Sequence, residues 1–189
     1  MNKLIALMLV LALCLAATGC HRTENTNTTP SNSTDTTIPT ATSALNGKTL
    51  TEIVDLIYAK HPMELSLLTV EVDLTDEYAV KGYLGLDSAD GVTEAVASES
   101  AFGSQPYSLV LCRVKDPANT QSIARQMFEG IDQRKWICVN ADDLMVTAYQ
   151  DLVLLVMIGS EYEDIATAEQ LSEAFSQVCG CRPELTLED

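Results

Sequence analysis

Positive charge is scarce in this chain. Lys and Arg number 11 against 27 Asp and Glu among 189 residues, a formal net charge of −16. Nucleic-acid binding requires a basic face that displaces counterions from phosphate, so that class is excluded. Aromatic residues are 5% of the chain, with the single Trp at position 136. That scarcity argues against stacking platforms for bases or sugars. Histidine occurs twice, as His21 and His61. The chain contains no GxSxG, HExxH, P-loop or GxGxxG pattern and no CxxC pair, so the common signatures of hydrolysis, zinc catalysis and nucleotide binding are missing. It also lacks an apolar run of the ~20 residues that a membrane-spanning helix needs. What it has is 47% hydrophobic residues, enough to bury a core.

The longest apolar stretch, Leu4 to Ala17, is 14 residues and follows one cation, Lys3. That length suits the apolar region of a secretory signal. It ends in Ala17-Thr18-Gly19-Cys20, which resembles the lipobox of bacterial lipoproteins, where small residues precede a cysteine that receives a diacylglycerol thioether before cleavage. Cys20 is therefore the expected lipidation site, and residues 1–19 the signal peptide. One acyl chain holds a protein only marginally and two hold it firmly, so a diacylated Cys20 predicts a protein anchored to the cell membrane outside the cytoplasm. Cleavage removes Lys3 from the 11 basic residues and leaves 10 against 27 acidic ones, net −17. A negative bilayer surface should repel the body that such an anchor holds.

Residues 20–46 carry the anchor and a tether. From His21 to Asn46, 12 of 26 residues are Ser or Thr, and Ile38 and Leu45 are the only large apolar ones. Such a segment cannot offset its ordering entropy by burial and is expected to be disordered. As a flexible coil it would reach about 28 Å, from ~5–6 Å times the square root of its length. Asn27-Thr28-Thr29 and Asn32-Ser33-Thr34 match the glycosylation sequon, a weak match beside a bacterial-type leader.

Residues 47–189 read as one α+β domain. Thr49-Leu50-Thr51-Glu52 is a capping box, and Leu50, Ile53, Val54 and Ile57 then share a helical face that ends near His61 and Pro62. Residues 75–83 fit either a short helix or a strand. Val92–Val96 alternates as a strand does, and Tyr107–Val114 reads as a more buried one. Asp116-Pro117 starts a helix expected to run to about 134. Asp143–Tyr149 and Leu152–Ile158 read as a hairpin around Gln150-Asp151. The second of these strands has no polar position, so it belongs in the middle of a covered sheet. Thr167-Ala168-Glu169-Gln170 resembles a second capping box, with Ala168, Leu171, Phe175 and Val178 behind it and Gly180 at the stop. The expectation is an antiparallel sheet of about four strands with helices packed against it, in the order helix, two strands, helix, two strands, helix. Residues 92–135 and 143–179 share the hairpin–helix order without a common motif.

The lipobox cysteine, the Thr-rich tether, the helix Leu50–Ile57, the segment YSLVLCRVKDPANTQSIARQM, the strands around Ala148–Val156 and the closing helix are carried by residues 20–178. In that order they resemble an uncharacterised family of small bacterial envelope lipoproteins with a single domain of unknown function. Within the domain the resemblance spans roughly 48–178. Relatives often place a carboxylate where this chain has Tyr107-Ser108, and Gly-Asn-Tyr where it has Gln150-Asp151-Leu152. The resemblance implies a fold and a location and no activity, cofactor or catalytic residue.

Chemistry-bearing residues are few. Beyond Cys14 and Cys20, the thiols are Cys112, Cys138, Cys179 and Cys181. Cys112 and Cys138 lie in apolar runs, where cysteine behaves as a small hydrophobe. The one histidine of the domain, His61, is expected to be a solvated residue at a helix C-terminus. Carboxylates cluster at Glu71, Asp73, Asp76 and Glu77, at Asp87 and Asp90, at Asp142 and Asp143, and at Glu161, Glu163 and Asp164. Two functions are compatible with this. One is a non-catalytic envelope module that binds a protein or the cell wall. The alternative is a carboxylate-based small-ligand, calcium or glycan binder or hydrolase, which would require carboxylates to converge in a pocket with an aromatic wall.

Overall fold

The computed structural model describes Leu45 and residues 47–189. Cys20, the signal segment and nearly all of the tether lie outside the described residues.

Helix α1 (Leu50–Lys60) starts at the anticipated capping box: Thr49 Oγ1 accepts from the Glu52 amide and the Glu52 carboxylate accepts from the Thr49 amide. Strand β1 (Leu67–Glu71) follows. Helix α2 (Glu77–Ala79), capped by the Asp76 carboxylate, runs directly into a π-helical turn, Val80–Leu84. Strands β2 (Val92–Ser100) and β3 (Tyr107–Val114) form a hairpin. A 3-10 turn at Pro117–Asn119 leads into α3 (Thr120–Gly130). Strands β4 (Asp143–Tyr149) and β5 (Leu152–Ile158) form the second hairpin, with Gln150 in the left-handed region at φ 52°. Helix α4 (Ala168–Cys179) carries the second capping box, Thr167 with Gln170, and stops at Gly180, φ 77°. Strand β6 (Leu185–Glu188) closes the described chain.

The fold is α+β: a six-stranded antiparallel open sheet, order β1-β2-β3-β5-β4-β6, with four helices packed against it. The sequence led us to expect about four strands. The two it missed, β1 and β6, are the edges. The β2 strand also extends four residues beyond Val96, and α3 ends at Gly130 rather than near 134.

Antiparallel sheets commonly leave one face wet. Here alternate residues of the central strands point into two separate cores. Tyr107, Leu109 and Leu111 of β3 and Leu152, Leu154, Val156 and Ile158 of β5 meet α1 and α4. Val110, Cys112 and Val114 of β3 and Val153, Leu155 and Met157 of β5 meet α3 and the π-turn. A strand buried on both sides must be apolar throughout, which is why β5 has no polar residue. Phe175 of α4 packs edge-on against Tyr149, centroids 6.1 Å apart. The two hairpin–helix segments send their helices to opposite faces of the sheet. A two-fold axis normal to the sheet, which would relate the two hairpins, keeps both helices on one face, so the shared order is not a structural repeat.

Helix α3 and the π-turn meet at two glycines. A Cβ on Gly85 (φ 71°) would lie 2.5 Å from the Ile131 amide nitrogen, and a Cβ on Gly130 would collide with the Gly85 carbonyl. Glycine is required on both sides of this backbone contact.

Candidate functional site

The carboxylates singled out from sequence fall into different roles. Asp142 accepts from the Ser160 amide at 2.6 Å and its hydroxyl at 2.9 Å, bonds that hold its pKa below the ordinary carboxylate value. Asp143 accepts from the Ala168 amide at the start of α4. Asp73 folds onto Thr75 and Asp76 caps α2, so both are occupied with local turns. Glu161, Glu163 and Asp164 are exposed around a 3-10 turn. Two groups do converge. Glu77, Asp87 and Asp90 line a cavity of about 310 Å3, in which Asp87 is paired with Lys81 at 2.7 Å. Glu71 and Asp73 share a cavity of about 340 Å3 with Glu94, whose carboxylate binds Arg113 at 2.6 Å. No aromatic side chain of the described residues lines either one. Among the described residues, no three His, Cys, Asp or Glu side chains are grouped so as to hold a metal ion.

His61 is not simply solvated. It caps α1 half-buried, with Nε2 3.1 Å from the Ile165 carbonyl. The thiols of Cys112, Cys138, Cys179 and Cys181 are all unpaired. Burial pushes Cys112 up to about 12, and burial with the Asp151 charge does the same to Cys179. Neither is a thiolate at neutral pH, so neither is poised as a nucleophile. Cys138, expected in an apolar interior, is exposed instead, at φ 65°.

The most concentrated polar chemistry was not anticipated from sequence. Lys135 Nζ donates to Glu99 Oε1 at 2.5 Å, to Ser108 Oγ at 3.2 Å and to the Gly82 carbonyl at 3.2 Å. Ser108 donates to the same Glu99 oxygen at 2.7 Å. The Tyr83 and Trp136 rings lie 5.2 Å from the ammonium. Burial lowers the Lys135 pKa, and the Glu99 charge opposes that. A serine beside a desolvated lysine is a pairing found in nucleophilic catalysis. Here Ser108 is fully buried, its proton is directed at Glu99, and all three lysine hydrogens are used. The cluster instead fastens the segment after α3 to the sheet beside β1. Its members are 27 and 36 positions from Lys135 in sequence, so no local motif could announce it.

On the other face, Tyr58 of α1 donates to Ser98, Thr69 of β1 donates to Ser98 at 3.1 Å, and the Tyr58 and Tyr107 hydroxyls meet at 3.0 Å. This hydroxyl chain ties β1 to α1. Burial holds the Tyr107 phenol well above its ordinary value.

Among the described residues, two places on the sheet stay open. A groove of about 790 Å3 lies between α4 and β6, floored by Met145, Ser172 and Thr186, with Glu169, Glu173, Glu188 and Arg182 around it. On the opposite face, β1 is exposed along most of its length: Leu68 is 61% and Val70 46% accessible. No protein-family model matches the chain, and no curated protein or solved structure matches it.

Proposed function

We propose that this chain is a lipid-anchored bacterial envelope lipoprotein of the uncharacterised small-lipoprotein family it resembles, acting as a non-catalytic interaction module. The observation that carries the reading is Ala17-Thr18-Gly19-Cys20 at the end of a 14-residue apolar stretch. A diacylated Cys20 would place the domain at the cell membrane, outside the cytoplasm, on a tether with a reach of about 28 Å. Its partner would be a protein or the cell wall. The uncovered β1 edge supports a binding role, because exposed apolar side chains beside unpaired backbone are a template for another chain.

The test is acylation. Cells fed labelled fatty acid should label the wild-type chain and not Cys20→Ser, and the variant should leave the membrane fraction. An unlabelled wild-type chain with a free Cys20 thiol ends the reading. Identification of neighbours by crosslinking on intact cells then addresses the partner.

The second reading, a carboxylate-based ligand or cation site, has in its favour that Glu77, Asp87 and Asp90 line one cavity. Against it, the cavity has no aromatic wall, Asp87 is paired with Lys81, and no metal-holding group of three is found among the described residues. Its test is the melting temperature with and without millimolar Ca2+. A rise supports it and no shift removes it.

A further inference from the structure

The outer edge of β1 has a definite backbone pattern. The Val72 amide donates to the Ala95 carbonyl at 2.9 Å and the Ala101 amide donates to the Ser66 carbonyl at 2.8 Å. Between them the register runs from Leu67 opposite Ser100 to Glu71 opposite Val96. Bonded pairs alternate in an antiparallel ladder. Ser66, Leu68, Val70 and Val72 therefore turn their amides and carbonyls toward β2, and Leu67, Thr69 and Glu71 turn theirs outward. No outward group has a backbone partner among the described residues.

Native edge strands are normally blunted by lysine, proline, a bulge or a covering element. Leu67–Glu71 has no lysine or proline, and the irregularity in the neighbouring strand falls at Val92/Glu94, beyond the β1 pairing. The side chains of Leu68 and Val70 lie on the face shared with Glu99 and Ala97, their register partners, and are left exposed there.

Charge selects the occupant. Glu64, Glu71, Asp73, Asp76 and Glu77 bracket this edge, all exposed, and none pairs with a cation among the described residues. Lys135, a cation on this face, is committed to Glu99, the residue opposite Leu68. A second copy would bring the same acidic rim to the contact, and both copies carry a strong net negative charge, which opposes association.

Resting on the interaction-module reading above, we propose that β1 accepts an extended, cationic segment of a partner protein as a seventh strand. Alternate apolar side chains of that segment would cover Leu68 and Val70. The intervening Lys or Arg residues would face Glu71 and the acidic stretch after it. The backbone of Leu67, Thr69 and Glu71 would supply the ladder, the β-augmentation mode of recognition.

The experiment uses the full chain in detergent and a fluorescent nine-residue peptide alternating Val and Lys, read by anisotropy at physiological salt. Thr69→Pro removes an outward donor without breaking a backbone β1–β2 bond or changing charge, and it gives up the Thr69–Ser98 side-chain bond. Leu68→Lys puts a cation in the path of the peptide and serves as the second variant should the proline unfold the strand, which circular dichroism reports. The wild-type chain should bind, each folded variant should bind at least tenfold more weakly, and a Val–Glu peptide should not bind. Equal binding by wild-type and folded variants would reduce the interaction to diffuse charge attraction and overturn the proposal. So would equal binding of the Val–Glu peptide, no binding by the wild-type chain, or a wild-type dimer that Thr69→Pro converts to monomer. Each of these failures leaves acylation of Cys20 untouched, so the anchored-module reading is judged separately.

Discussion

The two edges of the sheet are built from nearly the same pattern and end in different states. β1 reads Leu-Leu-Thr-Val-Glu and β6 reads Leu-Thr-Leu-Glu. Both pair with one neighbour, and both turn two large apolar side chains toward the α3 face, Leu68 and Val70 from β1, Leu185 and Leu187 from β6. On β6 those side chains are half-buried against α3, and Gln133 just beyond the helix bonds the Asp189 carboxylate at 2.8 Å. On β1 they face solvent. The difference lies in what covers each strand. Helix α3 sits over β4, β5 and β6, and the π-turn with the Lys135 segment stops at Glu99, one strand short of the edge. Exposure at β1 is therefore a property of helix placement, and local sequence does not reveal it.

The largest test of that placement is the glycine contact. Gly85→Ala forces a side chain against the Ile131 backbone at a positive φ and should lower unfolding free energy by about 3 kcal/mol or more, read as the urea midpoint. A neutral substitution there would mean that α3 is free to shift, and the contrast between the edges would lose its cause. Lys135→Ala comes next. It strips Glu99 of its counter-charge in a half-buried site and should cost about 2 kcal/mol. Leu187→Ala, half-buried under α3, should cost about 1–2 kcal/mol. Leu68→Ala, at 61% exposure, should stay within about 0.5 kcal/mol. Comparable losses for the two leucines would show that something covers β1.

The sheet centre responds differently from either edge, through pH. Cys112 in β3 is held at about 12 by burial, above its ordinary value of 9.0, and the buried Tyr107 phenol moves the same way. A group raised on folding stabilises fully below its unfolded pKa and loses that contribution as pH climbs through the folded one. Unfolding free energy should therefore decline as pH rises above about 9, and Cys112→Ala should flatten the decline. An unchanged slope in that variant would place the alkaline sensitivity elsewhere.

Much of the interior was legible because it depends on short-range signals. Thr49 with Glu52 and Thr167 with Gln170 close their capping boxes as read. The uninterrupted apolar run of Leu152–Ile158 announced a strand covered on both faces. The edges were not legible. The four residues of β6 barely establish an alternation, and in β1 the apolar residues fall on both faces, Leu67 half-buried and Leu68 and Val70 exposed, so hydrophobic pattern carries no inward direction there. The π-turn at Val80–Leu84 follows a wider hydrogen-bond period than the helical template. The Lys135–Glu99–Ser108 cluster joins residues from β2, β3 and an irregular segment, and only the pairing of β2 with β3 sets Glu99 opposite Ser108.

Residue-resolved amide hydrogen exchange along β1 tests the open edge most directly. The structure predicts alternation, with Leu68 and Val70 protected by β2 and Leu67, Thr69 and Glu71 exchanging rapidly. Uniformly slow exchange from Leu67 to Glu71 would show that the edge is already occupied, and would contradict the account.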